Sequence, residues 1–251
     1  MEHFVVFENV WKTYAKDITA KTHTALQEVC FTLQKGETLG LVGANGAGKS
    51  TCIKLLMDFI RPDKGDVLIF NASPQKHESR QRIGYLPETA SFPANLTILD
   101  MLRYTGVSCR MTYKEIASRG EKWLKRLNLW EAQRRPLRDF SKGMQQRANF
   151  AIALLHNPEL LILDEPMSGL DPIGRADILD LILELKNEGC SILFCSHILE
   201  DVDRVADRVL LLHKGKSLFE GKPVELCQAT QTSTFVDGFL KIAQGNGNHD
   251  A

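Results

Sequence analysis

The chain has 251 residues, 43% of them hydrophobic and 25% charged, and its 31 basic and 31 acidic side chains leave a formal net charge of zero. That size and composition suit one large α/β domain or a core with a smaller inserted lobe, and the lack of a basic excess weighs against a nucleic-acid partner. The six cysteines, Cys30, Cys52, Cys109, Cys190, Cys195 and Cys227, form no CxxC pair, which argues against a zinc site and for a reducing compartment.

Met1-Glu2-His3-Phe4 lacks the basic start and apolar core of a signal peptide. No apolar run approaches the roughly 18 residues needed to span a bilayer. The expectation is a chain that serves a membrane, if at all, through a partner.

In chain order, Phe4 to Val10 alternates as a strand, and Lys16 to Thr24 reads as a long exposed hairpin loop. Val29 to Leu33 and Thr38 to Val42 read as strands, the second short and buried. A glycine-rich turn leads into an apolar-periodic helix from Lys49 to about Phe59. Pro62-Asp63-Lys64-Gly65 signals a turn before a strand at Val67 to Phe70. From Leu96 to His156 the pattern is helical with almost no strand signal, and Thr112 with Glu115 forms a capping box. This stretch predicts a helical lobe inserted into the core. Leu160 to Leu163 returns to β. A helix follows, capped by Asp171, opened by Pro172 and ended by Gly189. Ser191 to Cys195 is the next strand, Val209 to Leu212 and Ser217 to Glu220 form a hairpin, and Gly245 to Ala251 reads as a frayed end.

Gly43-Ala44-Asn45-Gly46-Ala47-Gly48-Lys49-Ser50 fits the phosphate-loop pattern GxxxxGK[ST]. Glycines let the backbone curl and point N–H groups inward, and the following helix adds its positive dipole end. Lys49 can reach the β- and γ-phosphates, and Ser50 can offer a hydroxyl to Mg²⁺. Leu160 to Glu165 is an apolar strand ending in two acids, at the strand edge where α/β sheets gather ligands. Asp164 there suits a hydrated Mg²⁺, and Glu165 suits polarising a water for phosphoryl transfer. His197 follows a strand and is predicted at the same edge, able to contact the γ-phosphate. Ser141-Lys142-Gly143-Met144-Gln145 precedes a helical run. Ser141 by itself reads as an N-cap, but the segment also offers a hydroxyl, free N–H groups and a helix dipole to an anion.

Together these segments resemble the ATP-binding cassette family over roughly Phe4 to Val224. Gly43 to Ser50 looks like Walker A, Leu160 to Glu165 like Walker B with its glutamate, and Ser141 to Gln145 like the signature LSGGQ. Ser168-Gly169-Leu170-Asp171 matches the D-loop, and His197 the switch histidine. Tyr14 stands where the family places an aromatic ring against adenine. Two departures are visible. Glu88, in Ile83-Gly84-Tyr85-Leu86-Pro87-Glu88, replaces the usual Q-loop glutamine and adds charge beside the phosphates. Lys142 and Met144 alter the signature, of which Ser141 and Gly143 carry over directly.

The resemblance implies a P-loop NTPase (RecA-like) α/β core with an antiparallel β subdomain and an inserted α-helical subdomain. The divisions it implies are 1–90 and 158–225 for the core, 91–157 for the helical part and 226–251 for a C-terminal tail. It implies ATP and Mg²⁺ as cofactors. Glu165 and His197 would be catalytic, and Ser50, Glu88 and Asp164 would face the metal. Tyr14, Gly43, Asn45, Gly46, Ala47, Gly48, Lys49, Ser50, Thr51, Ser141, Gly143 and Gln145 would contact nucleotide. With one Walker A and one signature, the chain needs a second cassette, most simply a head-to-tail homodimer. It also needs a separate permease, of exporting type by the form of the variant segments, which would hold it at the cytoplasmic face of a membrane. No nucleic-acid partner is expected. The chief alternative is a soluble cassette ATPase of translation or DNA maintenance, but this chain has one cassette, no sustained heptads and no paired cysteines. A P-loop kinase would leave Ser141 to Gln145, the D-loop segment and His197 without a joint explanation.

Overall fold

The computed structural model describes residues 2–14, 22–89, 91–93 and 95–245. In chain order it begins with β1 (His3–Tyr14), β2 (His23–Gln34), β3 (Thr38–Val42), α1 (Lys49–Leu56), β4 (Lys64–Ile69) and α2 (His77–Gln81). β5 (Ile83–Leu86), α3 (Ile98–Ser108), α4 (Tyr113–Arg126), two short 3₁₀ turns and α5 (Lys142–Leu154) follow. The remainder is β6 (Leu160–Asp164), α6 (Pro172–Asn187), β7 (Ser191–Ser196), α7 (Leu199–Val205), β8 (Arg208–His213), β9 (Lys216–Gly221), α8 (Pro223–Thr230) and α9 (Phe235–Gly245). The contacts divide the chain into two compact units, residues 1–80 with 183–251, and residues 81–182.

The first unit holds two sheets. One is antiparallel, in the order β2-β1-β4. Phe7 and Phe31 lie directly opposite each other and stack with ring centroids 4.3 Å apart, the cross-strand aromatic pairing that favours a sheet face. In the other sheet β3 pairs in parallel with both β7 and β8, and β9 returns antiparallel to β8. β3 and β7 are buried at every position, which is why both read as continuous apolar runs rather than alternating ones. Arg208 ties this sheet laterally, donating to Glu37 at 2.8 Å and pairing with Glu220.

The second unit pairs β5 in parallel with β6 and packs α3, α4 and α5 together. α4 starts with the expected capping box: Thr112 accepts from the Glu115 N–H, and the Glu115 carboxylate accepts from the Thr112 N–H at 2.8 Å. Its apolar side buries Ile116, Trp123 and Leu124, as the helical periodicity predicts. Thr97 and Asp100 form a second capping box on α3. Asp171 caps α6 through the Gly174 N–H at 2.7 Å.

The structure differs from the sequence expectations in several places. β1 runs on to Tyr14, and β2 begins at His23, so the expected loop loses His23 and Thr24 to the sheet; Thr22 lies just before β2, and 16–21 lie outside the described residues. Bulges let both strands continue past the point where alternation fails. α1 stops at Leu56 rather than near Phe59, because Asp58 turns left-handed (φ 57°) while the Met57 and Phe59 N–H groups close the last turn. β5 is too short to announce itself by periodicity. After β9 the chain forms α8 and α9, which pack on each other. Of the end expected to fray, Gly245 to Ala251, Gly245 closes α9 and 246–251 lie outside the described residues.

Two measurements check these packing arguments. A Cβ on Gly84 would stand 2.5 Å from the Ala153 carbonyl oxygen and 2.8 Å from Pro158, so Gly84→Ala should destabilise by about 1–3 kcal/mol in urea unfolding. Thr112→Ala removes one half of an exposed cap and should cost about 1 kcal/mol in the same assay.

Candidate functional site

In the first unit the phosphate loop leaves the buried strand β3 and enters α1. Gly48 is the N-cap residue, with φ 115°, and a Cβ there would lie 2.7 Å from the Leu26 side chain and 2.8 Å from the Ala25 carbonyl oxygen. Only glycine meets both the backbone angle and the space. The loop closes on itself through Ala47 N–H to Ala44 oxygen at 3.0 Å, and the Thr51 and Cys52 N–H groups both donate to the Gly48 oxygen. Lys49 is 7% exposed, and its Nζ donates to the Gly43 oxygen at 2.5 Å and the Ala44 oxygen at 3.4 Å. Ser50 and Asn45 are exposed, and Thr51 is buried. Cys52 sits beneath, where burial pushes its thiol up to about 12, so it behaves as a small apolar residue.

Two further contacts brace this loop. Gly215, in the turn between β8 and β9, donates its N–H to the Ala47 oxygen at 3.0 Å and accepts from the Gln27 N–H at 2.8 Å. The Tyr14 hydroxyl lies 3.5 Å from Thr51 Oγ1. His197 is the residue after β7. Since Val42 and Ser196 are partners in the parallel β3–β7 ladder, His197 and Gly43 leave the sheet at the same edge. This is the alignment expected of them.

In the second unit the two acids end β6. Asp164 and Glu165 are each 8% exposed, and Glu165 takes a left-handed backbone, φ 49°, a conformation uncommon for a non-glycine residue and frequent at functional sites. The Ser168 N–H donates to the Glu165 oxygen at 3.0 Å. Leu86 and Leu163 are partners in the parallel β5–β6 ladder, so Pro87-Glu88 and Asp164-Glu165 leave these two strands in the same direction. Glu88 is exposed.

Ser141 caps α5, accepting from the Met144 N–H at 3.2 Å. Its neighbour Gln145 donates from Nε2 to the Phe140 oxygen at 3.2 Å. A cleft of about 400 Å³ is lined by Ser141, Lys142, Gly143, Arg147, Leu170 and Asp171. The structure thus brings the signature-like segment and the D-loop-like segment together within one unit. Sequence reasoning passed over three residues that hold these segments. Gln146 donates to the Pro166 oxygen at 2.7 Å, just after the acids, and Asn149 to the Pro87 oxygen at 3.5 Å, just before Glu88. Gly215 braces the phosphate loop. The signal for the first two was two buried polar residues within an apolar helix; for Gly215 it was the Lys214-Gly215 turn.

Among the described residues no cluster of three His, Cys, Asp or Glu side chains could hold a metal by itself, and no helix is long and apolar enough to cross a membrane.

Residues 26–168 match the family model described as ABC transporter. An uncharacterized ABC transporter ATP-binding protein of Synechocystis is 40% identical over 80% of this chain and 58% of its own length. The linearmycin resistance ATP-binding protein of Bacillus subtilis is 32% identical over 91% of this chain and 72% of its own length. Among solved structures, the ATP binding subunit of an ABC transporter is similar with a TM-score of 0.86 at 28% identity, over 95% of this chain and 99% of that one. A dimeric ATP-binding cassette in a post-hydrolysis state, bound to ADP and Pi, is similar with a TM-score of 0.78 at 26% identity, over 87% of this chain and 98% of that one. The phosphate loop, the strand-end acids and these likenesses agree: the chain belongs to the ABC transporter family, as an ATP-binding cassette ATPase with the P-loop NTPase fold.

Proposed function

We propose that the chain binds MgATP, pairs head to tail with a second cassette, and uses hydrolysis to drive a separate membrane permease, in the direction of export. The observation that carries this reading is the Lys49 ammonium. It is buried at the N-terminus of α1 and held by two neutral carbonyl oxygens. No carboxylate pairs with it among the described residues. A buried charge needs compensation, and a polyphosphate meeting both Lys49 and the helix dipole supplies it.

Each remaining site residue has a role in this reading. Gly43, Asn45, Gly46, Ala47, Gly48, Ser50 and Thr51 line the phosphates, and the Tyr14 ring carries the adenine. Ser50 in the first unit, and Glu88 and Asp164 in the second, are the metal-facing residues of this reading: each offers oxygen, the ligand type Mg²⁺ takes beside substrate phosphates and retained waters. When bound, the ion offsets charge on the phosphate oxygens. Glu165 orients and polarises the attacking water, and its buried carboxylate suits that work. His197 contacts the γ-phosphate. Ser141, Gly143 and Gln145 meet the nucleotide held by the second cassette, with the Ser141 hydroxyl and the N-terminus of α5 facing its anion.

The dimeric cassette bound to ADP and Pi supports the two-cassette arrangement, and the relative named for linearmycin resistance supports export. In the helical unit Tyr104, Val107 and Tyr113 are 72%, 57% and 78% exposed. Exposed apolar side chains of this size suit an interaction surface, in this reading the one that meets the permease. That partner would hold the chain at the cytoplasmic face of the membrane.

Three measurements test the reading. Glu165→Gln should keep ATP binding, lower turnover by roughly 10²- to 10⁴-fold and favour an ATP-bound dimer in size-exclusion chromatography; a normal rate would remove the water-activating role. Lys49→Ala should weaken nucleotide affinity or turnover by on the order of 10²-fold, and normal values for both would contradict the phosphate-loop assignment. Pull-down from detergent-solubilised membranes should recover a polytopic protein. Recovery of ribosomes or DNA alone would favour a soluble cassette ATPase instead.

A further inference from the structure

Tyr14 is the last residue of β1, and its antiparallel partner on β2 is His23. Directly opposed residues send their side chains to the same face, with Cβ atoms roughly 4.5–5.5 Å apart. The neighbouring pair behaves in this way, since the Thr13 and Thr24 hydroxyls are 3.5 Å apart. Just before these pairs the register slips. Lys12 lies opposite Leu26 and Thr13 opposite Thr24, which leaves Ala25 as the extra residue of a bulge. Bulges bend a strand and re-aim its side chains. Here the bulge sits against the phosphate loop, where the Ala25 carbonyl and the Leu26 side chain crowd Gly48. On the partner strand, the Tyr14 hydroxyl reaches to 3.5 Å from Thr51. This end of the hairpin is therefore docked on the phosphate loop, and the face that carries Tyr14 also carries the exposed His23.

We propose that His23 is a second nucleoside-contacting residue, whose imidazole extends the Tyr14 ring into a two-ring platform. The proposal rests on the reading of Tyr14 as the adenine platform. Cβ atoms roughly 5 Å apart are too close to admit a base between the two side chains, because two ring contacts need about 7 Å. The rings therefore lie side by side and present one widened surface. Such a surface suits a fused two-ring purine better than a single-ring pyrimidine, and it discriminates by stacking area. His23 adds affinity that depends on the base and leaves the grip on the phosphates unchanged.

The test is equilibrium binding of MgATP, MgCTP and inorganic tripolyphosphate to the full chain, with melting temperature recorded alongside. His23→Ala should lower ATP affinity about 3- to 10-fold, lower CTP affinity less, and leave tripolyphosphate affinity and melting temperature unchanged. His23→Phe should restore ATP affinity. An unchanged ATP affinity in His23→Ala, with Tyr14→Ala weakened, overturns the proposal and spares the Tyr14 reading. Equal losses for ATP and tripolyphosphate also overturn it, because His23 would then act through the phosphate loop. If neither Tyr14→Ala nor His23→Ala alters ATP affinity while Lys49→Ala does, the Tyr14 reading fails and takes the His23 proposal with it.

Discussion

Lys49 donates to the carbonyl oxygens of Gly43 and Ala44, and the closed loop this produces is the constraint around which the first unit is arranged. A loop that turns its carbonyls onto a lysine must turn N–H groups elsewhere, and the start of α1 directs them to where an anion would sit. Neighbouring elements also contact this loop. Gly215 binds it on one side, while Ala25 and Leu26 press on Gly48 from another. The β8–β9 turn and the β1–β2 hairpin are thus coupled to the same six or so residues of backbone, which is why a bulge in β2 and a glycine late in the chain matter to phosphate binding.

The second unit meets a different difficulty. Two carboxylates end a fully buried strand, where polar groups need partners. The backbone around them is held from α5: Gln146 fixes Pro166 just after the acids, and Asn149 fixes Pro87 just before Glu88. The same helix begins at Ser141. One helix therefore carries the signature-like segment at its N-terminus and, one and two turns later, supports the two strand-end loops.

Much of this was legible in the sequence because it is local. The phosphate loop is written in eight consecutive residues, and its glycines and lysine state their own conformational and electrostatic needs. The buried strands β3, β6 and β7 announce themselves by unbroken apolar runs. The capping pair Thr112 and Glu115 and the cap Asp171 depend on residues three apart, so spacing alone reveals them.

What the sequence could not decide depends on residues far apart in the chain. Whether β1 continues to Tyr14 and where β2 begins are set by pairing across a bulge, which no single-strand period encodes. Gly215 reaches Ala47 across 168 positions, and His23 stands beside Tyr14 only because of register. The chain alone determined which side chains are the candidates to grip a polyphosphate, since that chemistry resides in residue types at short spacing. Only the tertiary structure decided which backbone braces the grip and which rings share a face, since those follow from strand register and close packing, properties of pairs rather than of any one segment.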